Sequence, residues 1–228
     1  MKSIFFVLLL GISISLFAQE GAGRYTFVFL NTNPDRAELP QAQVDSLQAG
    51  HLANITRLAK ERKMIAAGPF HTGGGIFIFD TNLEDTKAVL DSDPAIAAGR
   101  FKIETYPFNM DMGEICTLWH LADDDYEMTT YFFMRFRNKF DSDGAYALKT
   151  NRFTLDKLRE AKRKLPEVQV LGNLNFDGNH GQVVVFKGDE EKMAEYEQFF
   201  KEHKGVESGI MDFYIKKLYI AKGVFCEE

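Results

Sequence analysis

Two cysteines, six prolines, five histidines and one tryptophan are all that the 228-residue chain holds of those types. Two thiols cannot build a disulfide framework, and neither Cys116 nor Cys226 has a Cys or His nearby at zinc spacing. They can form one disulfide or stay as two free thiols. Basic charge is also scarce: 27 Lys and Arg against 33 Asp and Glu give a formal charge of -6. That balance argues against nucleic-acid binding through a broad cationic face. There is no Gly-x-Ser-x-Gly nucleophile elbow, and Gly73-Gly74-Gly75 lacks the helix and Lys of a phosphate loop. No apolar run reaches the roughly 20 residues that a membrane-spanning helix needs.

The longest such run, Ile4 to Phe17, is fourteen residues, preceded by Lys2 and followed by Ala18-Gln19-Glu20. This is the layout of a secretory signal peptide over residues 1–18, cleaved near Ala18, and it predicts a secreted or periplasmic protein without stable membrane insertion. What the chain has in quantity is phenylalanine, 21 residues, which favours strands and an aromatic core.

From Tyr25 onward the pattern alternates strand and helix. Tyr25 to Leu30 is a β-branched and aromatic run that ends at Asn31-Thr32-Asn33-Pro34. A helix is expected from Gln41 to Lys63, with apolar positions at Val44, Leu47, Ile55 and Leu58. Strands follow at Met64–Phe70 and Ile76–Phe79, then a helix from Leu83 to Ser92 and a strand at Phe101–Tyr106. A connector over 109–127 contains Trp119 and Asp123-Asp124-Asp125. Within it Glu114–Leu121 is a candidate short strand, and the acid run reads as a solvated turn.

The order then repeats over 128–224: a strand at Tyr131–Phe136, a helix at Thr154–Lys164 and a strand at Val168–Gly172. A turn at Asp177–Gly181, a strand at Val183–Phe186, a helix at Glu190–His203 and a strand at Met211–Ile220 complete it. Aligning Gly68 with Gly172 and Gly99 with Gly209 brings the halves into register. Each half reads as β-α-β-β-α-β, the ferredoxin-like unit, which leaves one apolar sheet face uncovered. Two tandem units can press those faces together. The expected fold is therefore α+β, an intrachain pseudo-dimeric α/β barrel, with further self-association left open.

On the first helix the apolar stripe includes His51. A histidine there is ordinarily a core side chain; for acid–base work it needs a carboxylate that fixes its tautomer. Asp93, before Pro94 at the end of the next helix, is the candidate, and its other role is to end that helix. His71, after Gly68-Pro69-Phe70, is a candidate substrate-binding residue or a solvated loop histidine. Arg135, Arg137 and Lys139 alternate on a strand and read as a solvated rim able to attract an anion.

Gly50-His51-Leu52, followed a helix-length later by Met64-Ile65-Ala66-Ala67-Gly68-Pro69-Phe70, resembles the YciI (YCII-related) family. So does Asp93-Pro94-Ala95-Ile96-Ala97-Ala98-Gly99 with the strand ending Tyr106-Pro107-Phe108. The resemblance covers residues 25–108. It implies a ferredoxin-like dimeric α/β barrel, no cofactor, and a His–Asp pair that falls here on His51 and Asp93. It further implies lyase, isomerase or hydrolase chemistry on a small, ring-type compound; relatives include a dehydrochlorinase, and the wider superfamily includes muconolactone isomerases. In the second half Leu155 stands opposite His51 and His203 opposite Asp93, so one candidate site is expected. A non-catalytic barrel that holds a small ligand, or haem through His51, is the other reading.

Overall fold

Alternating side chains explain why the strands of this chain are apolar on both faces. In the computed structural model, which describes residues 25–121, 125–139, 156–174 (without 158 and 162) and 181–226, Phe27 and Phe29 point into one core while Val28 and Leu30 point into another. Residues 1–18, Asp123-Asp124, Thr154-Leu155 and the turn at 177–180 lie outside the described residues.

The first half runs β1 (Tyr25–Thr32), α1 (Gln41–Lys60), β2 (Met64–Pro69), β3 (Gly75–Phe79), α2 (Leu83–Leu90), α3 (Pro94–Ala97) and β4 (Phe101–Met112). The second runs β5 (Met128–Asn138), helix α4 described within 156–164, β6 (Val168–Leu174), β7 (Gln182–Phe186), α5 (Glu190–Lys201), α6 (Lys204–Glu207) and β8 (Met211–Ala221). The eight strands form one antiparallel sheet in the order β2-β3-β1-β4-β6-β7-β5-β8.

The sheet curls until its two ends meet. Phe70 bridges Leu218, and the His71 N–H donates to the Lys217 carbonyl at 3.1 Å. Two glycines allow the seams between the halves. A Cβ on Gly68 would lie 2.9 Å from Leu218 Cδ1 and 3.0 Å from the Tyr219 oxygen. One on Gly172 would lie 2.4 Å from both the Asn109 oxygen and the Phe108 ring. Inside the curl sits an apolar core that includes Phe27, Phe29, Phe108, Tyr131, Phe133, Val185 and Leu218. The helices cover the outer faces over separate cores, one around Phe77 and Phe79 and one around Phe136, Phe186 and Phe200.

Several boundaries depart from the sequence expectation, each for a local reason. α1 stops at Lys60 because Arg62 adopts a left-handed φ of 56° and Lys63 N–H turns back to the Leu58 oxygen. The second helix stops at Leu90, and a separate turn, α3, starts at Pro94 with Asp93 as its cap. β4 continues to Met112 because Asn109–Met112 pair with β6 and join the halves. Instead of a strand, 114–121 contributes one bridge, Ile115 to Phe225. α5 ends at Lys201 and α6 follows, capped by His203. Arg135 is not a solvated rim residue: it is 4% exposed, inside the barrel with Glu104.

Cys116 and Cys226 are joined as a disulfide with Cα atoms 5.5 Å apart. It secures the segment whose Ile115, Leu118, Val224 and Phe225 enter the interior core.

Candidate functional site

α1 buries three residues, His51, Asn54 and Leu58, on one stripe at i, i+3 and i+7. Gly50 lets this stripe approach α3 closely, since a Cβ there would lie 2.7 Å from Pro94 Cγ. α3 begins where it does because the Asp93 Oδ1 accepts from the backbone N–H groups of Ala95 and Ile96, at 3.0 and 3.1 Å, with Pro94 at the first helical position. Gly99, at φ 66°, ends the turn in the left-handed conformation that glycine tolerates.

These two elements bring His51 and Asp93 together. His51 Nδ1 lies 2.7 Å from Asp93 Oδ2, between side chains that are 10% and 1% exposed. Asn54 Nδ2 donates to the same Oδ2 at 3.3 Å. Arg57 Nη2 in turn donates to Asn54 Oδ1 at 2.8 Å, fixing the amide's orientation. Burial raises the Asp93 pKa, but the bonds from His51, the Ile96 N–H and Asn54 outweigh it, so the carboxyl stays below its ordinary value and is ionised at neutral pH. An ionised carboxylate only accepts, so the hydrogen-bond network assigns a proton to Nδ1 and leaves Nε2 as the ring nitrogen that does not touch Asp93.

Nε2 has no hydrogen-bond partner among the described residues, and the ring lines a cavity of about 540 Å³. The imidazole packs against Phe77 and Phe101, each centroid 5.7 Å away. The remaining lining includes Leu30, Gln48, Ile55, Met128 and Tyr219, and among the described residues no Lys, Arg, Asp or Glu. A second cavity of about 510 Å³ runs beside Trp119, and its described lining holds no histidine or carboxylate.

His71 is exposed on the turn between β2 and β3 and does not line the His51 cavity. His203 occupies in α6 the place Asp93 has in α3, its Nδ1 accepting from the Gly205 N–H at 2.9 Å. Leu155, which the glycine-anchored alignment of the sequence sets opposite His51, lies outside the described residues. Asn54 is not singled out by the sequence; its one signal is position i+3 from His51, which places it on the same face. Among the described residues the one group of three metal-type side chains is Glu114 with Cys116 and Cys226, whose sulfurs are bonded to each other. No helix among them is long and apolar enough to cross a membrane.

The α+β fold, with its eight-stranded antiparallel sheet, is similar to that of the dimeric α/β barrels. A mutant of the chlorite dismutase from Candidatus Nitrospira defluvii superposes with a TM-score of 0.53 at 10% identity, over 86% of this chain and 91% of that one. A heme-binding protein from Thermus thermophilus gives 0.44 at 12% identity, over 88% and 91%. No family model matches the sequence, and no curated protein does. The likeness to YciI proteins therefore rests on the residues quoted above.

Proposed function

We propose that this barrel binds a small, uncharged, largely apolar molecule beside His51, and that the His51–Asp93 pair moves a proton on it. The observation that carries this reading is the 2.7 Å bond from Nδ1 to a buried carboxylate, on a ring that lines a cavity of about 540 Å³. Such a volume is ordinary for a small-molecule site. The uncharged lining favours a neutral compound, and the flanking Phe77 and Phe101 favour a flat or ring-shaped one.

In the reaction so proposed, His51 Nε2 takes a proton from the bound compound. Asp93 holds the imidazole in place and stabilises the imidazolium that forms. Return of that proton to another atom of the compound gives an isomerisation, and its delivery to a leaving group gives an elimination; for a hydrolysis Nε2 instead takes the proton of a water whose oxygen attacks the compound, and that proton goes to the leaving group. Acid–base help of this kind contributes on the order of 10²–10⁴-fold.

The test is a screen of small neutral ring compounds for turnover, or for uptake of solvent deuterium, with the full chain. A hit should lose at least about 10²-fold in kcat in His51→Asn while still binding. Unchanged turnover in that variant would rule out the acid–base role; a ligand bound without turnover by both proteins leaves a binding barrel.

The second reading is haem, supported by the barrel likeness to a chlorite dismutase. His51, whose Nδ1 donates to a carboxylate, would be the residue to hold the iron. Among the described residues, however, the lining has no Lys or Arg for two propionates, so it fits the porphyrin edge poorly. Titration with hemin is expected to give no His51-dependent Soret band.

Export and internal duplication belong to the same proposal. The charged start and apolar run of residues 1–18 support a signal segment, and the Cys116–Cys226 disulfide suits an oxidising compartment. The matched caps at Asp93 and His203 support two copies of one unit, of which only the first carries the His–Asp pair.

A further inference from the structure

The end of the barrel opposite the disulfide holds charges that the His51 site does not use. Glu104 on β4 receives Arg135 of β5 through Nη1 and Nη2 at 3.3 and 2.8 Å, Asn31 Nδ2 at 2.7 Å and the Tyr106 hydroxyl at 2.8 Å. Arg137 is held by Asp212 at 2.9 Å. Lys216 has no acidic partner among the described residues. Its Nζ instead sits 4.9 Å from the Phe70 ring centroid and 5.0 Å from that of Tyr214. Arg135 is 4% exposed, its Nε is buried with no hydrogen-bond partner, and its guanidinium carbon lies 4.1 Å over the Phe29 ring. Among the described residues, three cations against two carboxylates leave one positive charge uncompensated beside the aromatic rings. Burial and repulsion by Arg137 and Arg135 also hold the Lys216 pKa below its ordinary value, a cost that a bound anion relieves.

We infer that this mouth binds a small organic monoanion, its carboxylate between Lys216 Nζ and Arg135 Nε and its apolar body against the rings of Phe29 and Phe70. One carboxylate matches the single unbalanced charge, and the aromatic floor selects a hydrophobic acid over a hydrated inorganic ion. The site is distinct from the uncharged cavity beside His51, although Phe70 borders both. Its occupancy does not depend on what that cavity does.

The experiment is calorimetric titration of the full chain with benzoate in a carboxylate-free buffer, with benzyl alcohol and inorganic phosphate as comparison ligands. Benzoate is expected to bind saturably. Lys216→Met and Lys216→Gln should each weaken it tenfold or more with the melting transition retained, Lys216→Arg should keep it within about threefold, and His51→Asn should leave it unchanged. Absence of saturable binding, or wild-type affinity in both neutral Lys216 variants, would overturn the site. Loss in His51→Asn would place the anion in the other cavity and overturn it as well. Equal binding of benzyl alcohol would remove the role of the charge, and equal binding of phosphate would remove the aromatic acid as the class of ligand.

Discussion

Asp93 serves two structures through its two oxygens. Oδ1 caps α3, and Oδ2 receives His51 and Asn54. The two roles separate in substitutions. Asp93→Asn keeps an oxygen for the cap but turns an amide N–H toward Nδ1, which moves the imidazole proton to Nε2 and removes the acceptor. Turnover of any identified substrate is expected to fall by about 10²–10⁴-fold, with stability within about 1–2 kcal/mol of wild type by urea unfolding. Asp93→Ala loses the cap and strands two buried donors, and is expected to cost about 2–4 kcal/mol. A pair of equal stability losses would mean that the two roles are not separable.

Glu104 illustrates the opposite chemistry. Burial raises its pKa, yet the Arg135 guanidinium, Tyr106 and Asn31 together bring it down to about 2 from 4.5. A carboxyl with a depressed native pKa contributes stability above its unfolded pKa and loses it as pH falls through the native one. The contribution is therefore full above about pH 4.5 and gone near pH 2. With the side chain 37% exposed, screening reduces it to about 1–2 kcal/mol. Urea midpoints of wild type should fall across that window, and Glu104→Gln should flatten the fall. An unaltered acid limb in the variant would assign the loss to other carboxylates.

At the scale of elements, the site depends on how closely α1 meets α3. Gly50 in mid-helix is unfavourable by about 1 kcal/mol relative to Ala. The position still needs glycine, because a Cβ would press on the Pro94 ring at 2.7 Å, and a proline ring cannot swing aside. Overpacking of this kind costs about 1–3 kcal/mol, which outweighs the helix gain. Gly50→Ala is expected to lower stability by about 1 kcal/mol and to lengthen the His51–Asp93 contact, with turnover falling more than stability alone explains. A stabilised variant would show that α3 shifts freely.

Element boundaries are legible to the extent that they are local. The apolar runs at 25–30, 76–79, 131–136 and 183–186 become strands because both faces of each are buried. α3 and α6 escape a sequence reading, since four-residue turns have no periodicity and are held by the side chains of Asp93 and His203. The placing of Arg135 fails for a related reason. Alternation shows that Arg135 and Phe133 share a face, but which face is interior is decided only when the sheet closes.

For the whole molecule, closure is asymmetric between its ends. One end carries the polar mouth around Arg135, where Glu104 of the first half pairs with the second across the interior. The other is plugged by Ile115, Leu118, Val224 and Phe225 and locked by Cys116–Cys226, which are 110 residues apart. Cross-linking so long a loop restricts the unfolded chain, a contribution of about 2–4 kcal/mol. Reduction, or paired replacement by Ser, should lower the unfolding free energy by that amount. The His51 cavity should keep its ligand under mild reduction, because no cavity-lining residue belongs to the plug. Loss of binding in step with reduction would show that the plug supports the site.

The sequence by itself determined the strand runs, the order of elements in each half, the placing of His51 on an inward helix face and the turn at Asp93-Pro94. These follow from periodicity, capping and turn chemistry, which act over a few residues. Only the tertiary structure decided that His51 meets Asp93 across 42 positions, that Asn54 supports the pair, that Arg135 is interior and that the cysteines join. Each of those contacts depends on the register between packed elements, set by close approaches at Gly50, Gly68 and Gly172 that no local pattern encodes.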